Sequence, residues 1–256
     1  MKIGVLIKQV PDTETKIRIK ADKSGIEEDG VKFIVNPYDE LAIEEAIKTK
    51  EKTTGETYAI SLGPDRAVEA IRTALAMGID KGIHIATDGQ TFDGFTTAKI
   101  LSEVIKKEGL EIVFCGKQAI DGDNGQVVAM TAEFLDIPQV MIVEKVELKE
   151  DKKGALITRR VSGGKEVYDV AFPAILGCEK GLNTPRYASL PGIMKAKSKP
   201  LEKLKAADLL GGATKLVRFA NYEFPPERAA GKKIDGEPAQ QAAQLVRLLR
   251  EEAKVI

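Results

Sequence analysis

A regular alternation of strand-like apolar runs with helix-period segments fills the first half of the chain, and no other feature limits its fold as much. Residues 3–10 read as a buried strand, and residues 41–52 as a helix whose start is signalled by Asn36-Pro37. Residues 57–62 form a second apolar run. The helix after it turns Val68, Ile71 and Leu75 to one face and stops at Gly78. Residues 82–86 predict a third strand, 98–107 a helix with Leu101, Val104 and Ile105 inward, 111–115 a fourth strand, and 126–135 a further helix. Such alternation predicts an α/β fold, a parallel twisted sheet with helices on both faces.

The rhythm changes after Pro138. Residues 139–148, 156–161 and 166–172 read as consecutive strands joined by turns, which predicts an antiparallel addition to the sheet. From Gly181 onward the chain is rich in Pro, Gly, Lys and Ala; Pro225-Pro226 and residues 231–238 interrupt it, and a helical pattern returns over 239–254 through Ala242, Leu245 and Leu249. The simplest division is an α/β domain over 1–180, a loop with a basic run over 181–200, and an extended C-terminal arm over 201–256. An arm with so few apolar residues needs a partner surface to pack on.

Lys+Arg and Asp+Glu are both 39 in 256 residues, so the basic footprint of a nucleic-acid binder is absent. No run approaches the roughly 18 apolar residues of a membrane helix. Lys2-Ile3-Gly4-Val5-Leu6-Ile7 reads as a strand rather than a signal peptide, and Cys115 and Cys178 have no disulfide or metal spacing, so a reducing cytoplasm is expected. The chain lacks G-x-G-x-x-G, G-x-x-x-x-G-K-[ST] and G-x-S-x-G. Its one histidine, His84, lies in a strand and reads as a packed side chain. Ser162-Gly163-Gly164-Lys165 resembles a phosphate loop, but strands on both sides make it a hairpin turn. Nothing in this set suits bond-breaking chemistry.

Two segments carry function instead. Residues 116–130 lie between a strand and the next helix, where open α/β sheets collect ligands. Gly122 and Gly125 would let the backbone approach a ligand, and the helix start near Gln126 would favour an anion. The same letters also spell an Asp/Gly/Asn turn with Asn124 capping the helix, and both readings stay open. The second segment is 182–199, where Leu182, Tyr187, Leu190, Ile193 and Met194 are interrupted by Pro185 and Pro191. Pro191 is expected to push Leu190 out of helical geometry. The basic run Lys195, Lys197, Lys199, Lys203 and Lys205 suits an acidic partner. A protein-docking loop is expected here.

Val5-Leu6-Ile7-Lys8-Gln9-Val10-Pro11-Asp12, Asn36-Pro37-Tyr38-Asp39-Glu40, Ile71-Arg72-Thr73-Ala74-Leu75-Ala76-Met77-Gly78, Gly116-Lys117-Gln118-Ala119-Ile120-Asp121 and the 182–199 loop occur in an order and spacing that closely resemble the β-subunit family of electron transfer flavoproteins. The resemblance covers nearly the whole chain. It implies an electron carrier rather than an enzyme, paired with an α subunit that holds most of the FAD. Electrons would pass from flavin dehydrogenases of the acyl-CoA type to a quinone oxidoreductase. It further implies an AMP site formed by Leu6, by Asn36, Pro37, Tyr38 and Asp39, by Leu62 and Gly63, and by Gln118, Asp121, Gly122, Asp123, Asn124, Gly125, Gln126, Val127, Val128, Ala129, Met130 and Thr131. Tyr38 would also face the flavin. Leu190, before Pro191, would anchor dehydrogenases, with Tyr187, Ile193, Met194, Lys195 and Lys197 around it. Asp121-Gly122-Asp123 leans toward the bifurcating branch, in which a second FAD replaces AMP and NADH becomes the donor. Asn36-Pro37-Tyr38-Asp39-Glu40 leans toward ordinary carriers, and Val127-Val128-Ala129 departs from the Thr-Gly-Gln common among them. A stand-alone adenine-nucleotide sensor of the universal-stress type is the remaining alternative.

Overall fold

In the computed structural model, which describes residues 1–228 and 230–256, β1 (Lys2–Leu6) stops short of the expected residue 10. The Lys8 N–H donates to Asp39 Oδ2 at 2.8 Å, and the Lys8 carbonyl accepts from the Asn36 N–H at 2.9 Å, so neither is free for a neighbouring strand. The run resumes as β2 (Gln9–Pro11), paired antiparallel with β3 (Phe33–Val35) in a separate ribbon. Helix α1 (Pro37–Thr53) begins at the Asn36-Pro37 signal. Pro37 gives up an N–H that the first turn could not use, and Asp39 and Glu40 complement the positive helix end.

The alternation continues as β4 (Glu56–Gly63), α2 (Ala67–Met77), β5 (Lys81–Ala86), α3 (Gly94–Glu108), β6 (Ile112–Gly116) and α4 (Val127–Leu135). Strands β7 (Gln139–Leu148), β8 (Gly154–Val161) and β9 (Gly164–Ala171) form the antiparallel addition. Ser162-Gly163 turns the β8–β9 hairpin, with Gly163 at φ 81°, so this segment opens no helix.

Two strands were not legible. The all-buried β10 (Ala174–Cys178) runs parallel between β6 and β7, and β11 (Leu201–Lys205) runs parallel to β5 at the opposite edge. Between them lies α5 (Leu190–Ala196), and after them α6 (Ala206–Leu209) and α7 (Pro238–Glu251). The sheet therefore extends beyond residue 180 and draws its edge strand from the segment expected to be all arm. Leu190 is helical rather than excluded from the helix. Ser189 Oγ accepts from the Gly192 N–H at 3.1 Å, and Pro191 sits in the first turn, where its missing N–H costs nothing.

The sheet order is β11-β5-β4-β1-β6-β10-β7-β8-β9. One face packs against α1, α2 and Ala196 of α5; the other packs against α3, α4 and Ala206 of α6. From β1 the chain moves outward through β4 to β5, then returns across β1 to β6, so the winding reverses at the β1–β6 boundary. Among the described residues no helix is long and apolar enough to cross a membrane.

Candidate functional site

Reversal of the winding opens a crevice beyond the carboxyl ends of β1, β4 and β6, because the helices on either side leave toward opposite faces. It holds a cleft of about 640 Å³. Leu6, Ile60, Leu62, Leu101 and Val128 form its apolar floor, and residues 116–128 form most of its polar side.

That polar loop is pinned from α1. Asn36 Nδ2 donates to the Gln118 carbonyl at 2.9 Å, and its Oδ1 accepts from the Ile120 N–H at 3.2 Å. Asp39 joins the two strand ends, accepting from the Lys8 N–H at 2.8 Å and from the Gly116 N–H at 2.9 Å. Only glycine fits at 116, since a Cβ there would meet Asp39 Oδ1 at 2.4 Å and Tyr38 Cβ at 2.6 Å. Burial raises the Asp39 pKa to about 7, even though the Lys8 N–H, the Asn36 side chain and the Gly116 N–H favour the charged form. Within the loop, Gln118 Nε2 donates to Asp123 Oδ1 at 2.7 Å, Lys8 pairs with Asp121 at 2.7 Å, and Asp123 and Gly125 take positive φ of 50° and 59°. Asn124 does not cap the following helix. Gln126 occupies the N-cap of α4 without a side-chain capping bond, which leaves the first-turn N–H groups available to an anion at the cleft.

Of the residues expected at the nucleotide, Leu6, Asn36, Asp39, Leu62, Gln118, Asp121, Gly122, Asp123, Asn124, Gly125, Gln126, Val127 and Val128 line this cleft. Gly63 lines an adjoining cavity of about 360 Å³, which shares Lys8, Leu62, Asp121 and Tyr222 with the first. Pro37 and Tyr38 lie in the first turn of α1 outside the cleft, with Lys117 Nζ 4.9 Å from the Tyr38 ring centre. Ala129, Met130 and Thr131 lie farther along α4, where Thr131 Oγ1 donates to the Val127 carbonyl at 2.7 Å. The sequence reading missed Thr87, Gln90, Phe92, Asp93, Gly94 and Thr97 on the α3 side, and Phe219 and Tyr222 from the arm. A signal for the first group was present, since Asp93 with Thr96 forms a capping box at a strand-to-helix turn. Cys115 lines the floor, and burial, with Asp39 nearby, holds its thiol well above the usual range.

The docking segment occupies another part of the molecule. Arg186 is held by the buried Glu44 of α1: its N–H (3.1 Å) and Nε (2.9 Å) donate to Oε2 and Nη2 (3.0 Å) to Oε1, while Nη1 reaches Glu51 at 2.8 Å. Beyond this anchor, Tyr187 is 99% exposed, Leu190 73% and Met194 68%, and Ile193, Pro191, Lys195 and Lys197 are exposed too. Lys199 departs from the expected basic face. It turns inward and donates to the Leu75 and Ile79 carbonyls at the end of α2, and burial lowers its pKa. Lys203 pairs with Asp65 at 3.1 Å, so Lys195 and Lys197 are the charges next to the apolar patch. His84 is fully buried, with Nε2 3.0 Å from the Gly63 carbonyl.

The family model described as "Electron transfer flavoprotein domain" matches residues 24–209, well over half the chain. The chain belongs to the electron transfer flavoprotein family. It is 44% identical to the electron transfer flavoprotein subunit beta of Bacillus subtilis (strain 168), with 100% of both chains covered. Identity to the mouse subunit beta is also 44%, over 90% of this chain and 91% of the relative, and to the mitochondrial subunit beta of Arabidopsis thaliana 42%, over 100% of each. The first and third of these relatives span the whole chain, the C-terminal arm included.

Proposed function

We propose that the chain is the β partner of a heterodimeric electron transfer flavoprotein, with an adenine nucleotide in the cleft between β1, β4 and β6. The observation that carries this reading is the cleft at the winding reversal, which combines an apolar floor for a base with uncapped N–H groups of α4 for a phosphate. Its volume lies within the range of about 300–1,000 Å³ usual for small-molecule sites. AMP is the nucleotide we assign, held by the loop residues around Gln118–Val128 with Leu6 and Leu62 beneath. FAD, held mostly by the α subunit, supplies the electron-carrying chemistry, and Tyr38 at the start of α1 is the residue we assign to its β-side wall. The Leu190 segment is the dock for flavin dehydrogenases, from which electrons go on to a quinone oxidoreductase, and the cytoplasm is the assigned compartment.

A second reading, a bifurcating carrier with FAD in place of AMP, draws support from the adjoining cavity, which provides room beyond a mononucleotide. Denaturing the purified αβ complex and separating the released nucleotides decides between them. One FAD with one AMP is expected. Two FAD and no AMP would establish the second reading, and no AMP with a single FAD would remove the nucleotide assignment.

A further inference from the structure

Residues 215–223 leave the sheet body after α6 and cross the mouth of the cleft, tied on both sides. On the α3 side, Lys215 Nζ donates to Thr91 Oγ1 at 2.9 Å, and the Leu216 and Val217 N–H groups donate to Asp93 Oδ2 at 2.6 and 2.9 Å. On the far side, the Tyr222 N–H donates to the Lys23 carbonyl at 3.1 Å and Glu223 pairs with Lys23. Between the ties, Phe219 and Tyr222 line the cleft.

Asp93 is unusual in its double use. Its Oδ1 already accepts from the Thr96 N–H at 2.9 Å and the Thr96 hydroxyl at 2.6 Å, completing the α3 cap. Its Oδ2 then takes two backbone donors from a segment more than a hundred residues away. A carboxylate accepts on both oxygens, whereas an amide presents N–H₂ at one of the two positions. A capping residue needs only the first oxygen, so the second serves the crossing segment. Phe219 remains 61% exposed although it faces the cleft, and an apolar ring left so open at a cavity mouth lacks a partner on one side.

We propose that residues 215–223 form the outer wall of the nucleotide cleft. Phe219 and Tyr222 lie against the bound nucleotide, and the Asp93 clasp keeps the wall shut, so nucleotide leaves only when the segment lifts. The inference rests on the adenine-nucleotide reading of the cleft. A planar purine suits this arrangement because its faces stack on aromatic rings whatever its edge pattern.

The test uses the αβ complex loaded with radiolabelled AMP and chased with excess unlabelled AMP. Phe219→Ala, at an exposed position outside the core, is expected to raise the release rate by about tenfold, the usual scale of a lost base–aromatic contact. Asp93→Asn keeps an acceptor for the α3 cap, since Asn caps as well as Asp, but loses the clasp. It is expected to accelerate release and to remove the hydrogen-exchange protection of the Leu216 and Val217 amides. If wild type holds AMP and both variants release it at the wild-type rate, the wall is overturned while the nucleotide site stands. A wild-type complex that binds no adenine nucleotide overturns both.

Discussion

Asp39 and Asp93 are buried carboxylates at the same cleft, driven in opposite directions. At Asp93, burial opposes ionisation, but the Thr96 hydroxyl and N–H and the Leu216 and Val217 N–H groups more than offset it and hold the pKa at about 2. Its contribution to stability is present above the ordinary value of 3.8 and is lost as pH falls through about 2. Asp39 is raised from 3.8 to about 7, so its contribution is present below 3.8 and is lost as pH rises through about 7. Denaturant titrations of wild type and Asp39→Asn at about pH 5 and about pH 8 read this directly, because the variant removes the titration. The advantage of wild type over the variant is expected to shrink toward the higher pH; a constant gap would mean that Asp39 stays charged throughout. Asp93→Ala is expected to cost about 1 kcal/mol near neutrality through loss of the α3 cap, with the cost fading as pH approaches about 2. The role of Asp39 could not be read from the sequence, and of the roles of Asp93 only the α3 cap was signalled there. Asp39 reads there as an acidic residue in a first helical turn, and its bonds to Lys8 and Gly116 depend on strands brought together only by the sheet. The loop over 116–126 was legible because glycines, aspartates and a helix start lie together in sequence. Phe219 and Tyr222 were not, because nothing near them in sequence signals a cleft.

At the scale of elements, the strand–helix alternation was legible because each unit declares itself locally. The two missed strands fail for different reasons. β10 is a five-residue buried run that follows the hairpin strands directly, and its parallel pairing to β6 and β7 is a long-range fact. β11, Leu-Glu-Lys-Leu-Lys, alternates too weakly to stand out from a basic tract, yet Leu201 packs at Gly82, where a Cβ would meet it at 2.8 Å. The docking segment behaves as an element of its own, a short helix hung from α1 by Arg186 and from α2 by Arg72 and Lys199. Arg186→Gln leaves Glu44, only 4% exposed at its side chain, without its cation. We expect a loss of about 2–3 kcal/mol, below the usual cost of breaking a fully buried pair because Arg186 itself is partly in water. The more specific expectation is kinetic. With a flavin dehydrogenase as donor, Arg186→Gln should raise KM while leaving kcat near wild type, the pattern given by Leu190→Ala, which removes the proposed anchor itself. Equal losses in kcat for both variants would mean that the segment acts on electron transfer rather than on docking.

Across the whole molecule, the core forms two clusters, one on each face of the sheet, and neither includes any part of α7. That helix carries its start signals in the sequence: Pro238 sits in its first turn, and Glu237 with Gln240 forms a capping box, so local signals alone favour helix. Leu245 and Val246 are exposed and Leu248 and Leu249 only half-buried, and an amphipathic helix of this kind is stable chiefly through the face it buries. No residue of α7 is fully buried within this chain, so the α subunit is the proposed counterpart of its apolar face. Leu245→Glu separates the two possible roles. If α7 serves assembly, the isolated chain should unfold within about 0.5 kcal/mol of wild type, as expected for a surface change away from the core. The heterodimer should meanwhile dissociate at markedly lower denaturant and at protein concentrations where wild type remains paired, read by size-exclusion chromatography across a dilution series. Equal destabilisation of the isolated chain and the complex would show instead that α7 packs on its own body, and the arm would lose its claim to the interface.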